Sequence, residues 1–98
     1  MNRKRAMYAL LREIERGNEP TFKDFGLTNE MFGEIVELAM NEKLIADAIV
    51  KRAGCGNKVI YVSLSNARIT MRGLDYLEEN SALKKAYKGV KEIISWIH

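Results

Sequence analysis

Cysteine, histidine and proline are almost missing from this 98-residue chain, which holds one of each. A single thiol, Cys55, excludes an internal disulfide framework. The sole histidine is His98, so a Cys/His zinc set and a Cys–His nucleophile–base pair are both out of reach. No apolar run nears the roughly 20 residues of a membrane span. The start, Met1-Asn2-Arg3-Lys4-Arg5, leads into a segment interrupted by Arg12, Glu13, Glu15 and Arg16. It lacks the apolar centre of a signal peptide. The expected setting is therefore the reducing cytoplasm. Glycine-rich phosphate loops are absent too: Gly54-Cys55-Gly56-Asn57 precedes a strand-like run, not a helix. A non-enzymatic protein is expected, with no cofactor, no metal, no membrane partner and no evident small-molecule substrate.

What is present is globular. Hydrophobic residues make up 47% of the chain, too many for a disordered segment. The length supports one domain, 1–98, around one modest core. The net charge of +3 is mildly basic, and its distribution is uneven. Arg3, Lys4, Arg5, Arg12 and Arg16 load the start. Lys51, Arg52, Lys58 and Arg68 surround the middle, and Lys84, Lys85, Lys88 and Lys91 the end. Residues 28–43 are the reverse, with Glu30, Glu34, Glu37 and Glu42 against Lys43.

Periodicity divides the chain into elements. Met7, Leu10, Leu11 and Ile14 give residues 3–16 an amphipathic helical spacing, ended by Gly17-Asn18. Residues 21–25 make a short second helix closed by Gly26. Thr28 caps a third, and Leu27 with Phe32 suits a hydrophobic staple across that cap. Its apolar face carries Phe32, Ile35, Val36 and Ala39. Asn29, Glu30, Gly33, Glu34 and Glu37 fall mostly on the other side. Residues 44–53 and 58–64 read as two strands joined by the Gly54–Asn57 turn. Thr70 caps a fourth helix over 71–79, with Ile69 and Leu74 placed for a second staple. Ser81 opens an amphipathic fifth helix over 81–97.

The spacing predicts one core: Leu10, Ile14, Phe22, Phe25, Leu27, Phe32, Ile35, Ile45, Ile69, Leu74 and Leu77. The fold class is α+β, a winged helix-turn-helix with three N-terminal helices, a two-stranded wing hairpin and two C-terminal helices. The run Ile69-Thr70-Met71-Arg72-Gly73-Leu74-Asp75-Tyr76-Leu77 resembles the segment after the wing in many small winged-helix proteins. Two further segments are Tyr8-Ala9-Leu10-Leu11-Arg12-Glu13-Ile14-Glu15-Arg16-Gly17-Asn18 and Lys85-Ala86-Tyr87-Lys88-Gly89-Val90-Lys91-Glu92-Ile93-Ile94-Ser95-Trp96-Ile97. On these two and on Thr70 to Asn80 the chain resembles the YjcQ-like family, small winged-helix proteins of Firmicutes and their phages and prophages. That resemblance implies the fold. It carries over no activity and no binding residues.

The candidate sites rest on this layout. The second helix of a helix-turn-helix usually enters the major groove, which would expose Asn29. Its carboxylates repel phosphate and read as a solvated acidic face. The hairpin is the better nucleic-acid candidate, through Lys51, Arg52 and Lys58, with Arg3, Lys4 and Arg5 as a second basic group. Lys51 and Arg52 point to opposite faces of their strand. Tyr8, Tyr61, Tyr76, Tyr87 and Trp96 are scattered and suit core or boundary packing. Leu83, Tyr87, Val90, Ile94 and Ile97 form a heptad-like seam that suits a homodimer interface or internal packing. The leading expectation is a DNA-binding or regulatory protein of a bacterium, phage or prophage that holds double-stranded DNA through its wing. The alternative is a protein-interaction module whose acidic third helix docks a basic partner.

Overall fold

A computed structural model describes all 98 residues. Its first helix, α1 (Arg3–Glu15), is the axis of the fold. Asn2 caps it, its Oδ1 accepting from the Arg5 N–H at 3.0 Å. Every residue from Ala6 to Leu11 is buried, so α1 is wrapped by its neighbours and not laid on them by one face.

Two helices come next, α2 (Phe22–Phe25) and α3 (Asn29–Asn41), joined through a left-handed Gly26. The Asp24 carboxylate accepts from the Thr21 N–H at 2.8 Å. Thr28 caps α3, its Oγ1 accepting from the Met31 N–H at 3.1 Å. Phe25, Leu27, Phe32, Ile35, Val36 and Ala39 are buried, as the helical spacing predicts.

The expected strand over 44–53 is two strands. β1 (Ile45–Ala46) pairs antiparallel with β4 (Arg68–Ile69), and β2 (Ile49–Ala53) pairs with β3 (Lys58–Ser63). Asp47 separates β1 from β2 because its φ of 64° leaves the extended region. In the β2–β3 hairpin, Lys51 faces Tyr61 while Arg52 faces Val59, so Ile60 is an extra residue without a partner. Helix α4 (Met71–Glu79) then opens on Thr70, whose Oγ1 accepts from the Gly73 N–H at 3.0 Å.

The structure corrects three expectations. Leu74 is 36% exposed and lies outside the core, because α4 turns Gly73 and Leu77 inward instead. Gly33 is buried, not on the outer side of α3, because a Cβ there would lie 2.7 Å from Val59 Cγ2. The fifth helix over 81–97 is not continuous. A 3-10 turn at Ser81–Leu83 and another at Val90–Glu92 precede a short α5 (Ile93–Ile97). Gly89 sits at φ 119°, where no helix can pass. Lys84, Lys88 and Lys91 would also stack like charges along such a helix, which weakens it.

The result is a mixed α+β fold of five helices and a two-stranded antiparallel hairpin. Its element order is compatible with a winged helix-turn-helix. One continuous core joins α1, α3, α4, α5 and the strand β1.

Candidate functional site

The hairpin and α3 are held together by charge. Alternation along β2 turns Val50 and Arg52 inward and Ile49, Lys51 and Ala53 outward. Arg52 reaches across to α3 and meets Glu37 through two bonds, Nη2 to Oε1 at 2.5 Å and Nε to Oε2 at 3.1 Å. Its Nη1 donates to Glu30 Oε1 at 3.0 Å and to the Asn57 carbonyl at 2.9 Å. The other Glu30 oxygen accepts from the Val59 N–H at 2.6 Å. Bidentate guanidinium–carboxylate pairing fixes orientation as well as distance. Glu30, Gly33 and Glu37 are thus one stripe of α3 that faces the hairpin.

The titration of this group is set by its contacts. The Val59 N–H, with Arg52 and Lys58 nearby, holds the Glu30 carboxyl below its ordinary range. Glu37 and then Glu30 push the Arg52 guanidinium upward, so it is always charged. Glu30 and Glu37 do not form a solvated acidic face, which corrects that expectation. The alternation rule separated Arg52 from Lys51, but nothing local in the sequence paired Arg52 with α3.

The other face of the hairpin carries Ile49, Lys51 and Ala53 opposite Ser63, Tyr61 and Lys58. None of these is acidic. Lys51 and Lys58 are exposed, and Tyr61, opposite Lys51, is 51% exposed. Ile60 projects beside them at 60% exposed. Cys55 lies exposed in the turn. Asn29 is half-buried and lines a groove of about 490 Å³ between α2 and β3.

The N-terminal basic group is not brought to the wing. Arg3 and Lys4 line a different groove of about 490 Å³, between α1, α3 and α4, to which no hairpin residue contributes. Arg5 is engaged elsewhere. Its guanidinium lies 4.8 Å from the centre of the Trp96 ring and donates to the Trp96 carbonyl at 3.2 Å.

The seam residues are used within the chain. Tyr87 and Ile97 are buried, Leu83 and Val90 pack against the core, and Ile94 is 50% exposed beside Gly26. Tyr87 donates from its hydroxyl to Glu13 Oε2 at 2.5 Å. Glu13 is only 1% exposed. Its other oxygen accepts from Asn18 Nδ2 at 2.8 Å, and Arg16 lies 3.4 Å away. A buried carboxylate is tolerated only when paired in this way. The sequence holds a signal for it: Ala6, Leu10 and Glu13 recur at helical spacing, so Glu13 lies on the inward stripe of α1.

Burial, and then the Glu13 hydrogen bond, push the Tyr87 phenol well above its ordinary value near 10. A raised pKa means that the folded state holds the proton more tightly. The contribution to stability is complete below about pH 10 and is lost as the pH climbs through the higher folded value. In a spectrophotometric titration, the Tyr87 phenolate should appear only together with alkaline unfolding. Ordinary ionisation of all four tyrosines near pH 10, with the fold intact, would contradict this.

Comparison with known proteins places the chain. The family model described as "YjcQ protein" matches residues 8–96. The chain belongs to the YjcQ family. It is 35% identical over 107 residues to a Bacillus subtilis (strain 168) relative titled "Uncharacterized protein YjcQ", covering 99% of both chains. No solved structure matches. The match to the YjcQ family runs from Tyr8 in α1 to Trp96 in α5. No helix of the chain is long and apolar enough to cross a membrane.

Proposed function

We propose that this YjcQ-family protein is a non-enzymatic winged-helix DNA-binding protein that holds the phosphate backbone with the outer face of its hairpin. The observation that carries this reading is the sorting of charge across the hairpin. Arg52 turns inward and neutralises Glu30 and Glu37. Lys51 and Lys58 stay exposed, among hairpin residues none of which is acidic, although Lys58 also lies near Glu30. Two exposed lysines on the hairpin suit phosphate contacts, which position a protein without reading sequence.

Helix α3 adds little to sequence reading. Its free side presents Met31, Glu34, Leu38 and Asn41, with no cation. Binding is therefore directed at the backbone and is sensitive to salt. The alternative, an acidic third helix that docks a basic partner, has its basic partner inside the chain in Arg52. Only Glu34 and Glu42 remain unpaired on α3 and its C-terminal cap.

Fluorescence anisotropy on a mixed-sequence duplex tests the reading. Replacing Lys51 and Lys58 together by alanine should weaken binding and reduce the slope of log K against log salt by about 2. Arg52→Ala should instead loosen the hairpin and lower thermal stability. No binding by the wild-type protein at low salt would remove the DNA reading.

A further inference from the structure

Helix α4 carries a largely polar stripe that the hairpin does not use and of which only Tyr76 packs against the core. Arg72, Asp75, Tyr76 and Glu79 stand at spacings of three, one and three, hence on one side of the helix. All four line the groove between α1, α3 and α4. Its apolar floor includes Leu38, which is 40% exposed. The chain's five ion pairs all lie elsewhere, so Arg72, Asp75 and Glu79 have no charged partner within the chain. Burial alone raises the Tyr76 phenol, with no hydrogen bond contributing. It stays a donor at any ordinary pH.

We propose that this stripe is the docking surface for a second copy of the chain, with the two α4 helices antiparallel about a two-fold axis. The argument is charge complementarity under symmetry. About a two-fold axis, if one residue meets a second, the second meets the first. An antiparallel pair centred between 75 and 76 sets Arg72 opposite the partner's Glu79, and Tyr76 opposite the partner's Asp75. Both pairs share that midpoint, as a single axis requires. Each occurs twice, giving two ion pairs and two phenol–carboxylate hydrogen bonds. The floor around Leu38 then covers the tyrosine rings.

Under this operation no two like charges of the stripe lie opposite one another, and Arg3, Lys4 and Glu42 line the same groove. A helix of nine residues is about 13 Å long. The contact is therefore small against the roughly 800 Å² per subunit of a standard interface. A contact of that size suits a weak, reversible dimer.

Sedimentation velocity over a concentration series, on the full chain at low salt, tests this. The wild type should dimerise. Arg72→Glu and Glu79→Arg should each weaken the dimer about tenfold, because two pairs turn repulsive at once. The double variant R72E/E79R should restore it. Glutamate near the start of a helix and arginine near its end both suit the helix dipole. All three variants should therefore keep the wild-type circular dichroism. A monomer at every concentration overturns the proposal. So does a dimer indifferent to the single reversals, or a double variant that fails to recover.

Discussion

Replacing Gly73 by alanine should destabilise the domain by about 3 kcal/mol or more, the upper end for overpacking. A domain of this size loses roughly 4–8 °C of Tm per kcal/mol, so the melting curve should fall by well over 10 °C. The reason is a single close approach. A Cβ on Gly73 would lie 2.2 Å from the Leu44 carbonyl oxygen and 2.5 Å from Ile69 Cγ1. That carbonyl is backbone, and it already accepts from the Thr70 N–H at 3.1 Å. Thr70 in turn donates its hydroxyl to the Lys43 carbonyl at 2.6 Å while capping α4. Moving α4 away to make room breaks these bonds together. Thermal unfolding by circular dichroism reads the effect directly, and an unchanged Tm would show that the packing is looser than described.

The second large effect is at the other end of the chain. Trp96→Ala should cost about 3–5 kcal/mol, the usual range for truncating a large buried aromatic residue. Trp96 packs against Tyr8 and Tyr87, with ring centres at 6.3 and 5.6 Å. Its indole N–H donates to the Arg5 carbonyl at 2.9 Å. The Asn2 N–H reaches the Ile97 carbonyl at 2.8 Å close by. Without the ring, the segment after Gly89 loses its hold on α1. Trypsin should then cleave at Lys84, Lys85, Lys88 and Lys91 much faster than in the wild type. Trp96→Phe separates the two contributions. It keeps most of the packing and should lose only about 1 kcal/mol with the indole hydrogen bond. If alanine and phenylalanine behave alike, packing is not what holds the C-terminal segment.

These two sites show how unevenly the fold was legible. The caps at Thr28 and Thr70 were readable because a cap involves residues three positions apart. The burial of Leu27 and Phe32 follows the same local rule. Leu74 stays outside the core, since α4 turns Gly73 and Leu77 inward instead. The seam from Leu83 to Ile97 has a helical rhythm, yet the chain breaks at Gly89. A short lysine-rich helix is weak by itself, and Tyr87 gains a buried carboxylate partner by leaving it.

The basic cluster at the hairpin divides for a similar reason. Strand alternation placed Lys51 and Arg52 on opposite faces, and that is how they stand. It could not say that Arg52 would neutralise the acidic helix, 15 and 22 positions away in sequence. Arg5 left the N-terminal basic group in the same way, drawn to Trp96 91 positions on.

By itself, the sequence determined the first four helices, the hairpin, the caps at Thr28 and Thr70, the α+β class and the family, because each rests on residues within a turn or on similarity along the chain. Only the tertiary structure decided which charges are free. The pairing of Glu13 with Tyr87 spans 74 positions, and no periodicity reports a contact between segments that meet only when the core closes. Burial then sets the outcome: a charge taken out of water must find a partner, and the fold alone determines which partner is within reach.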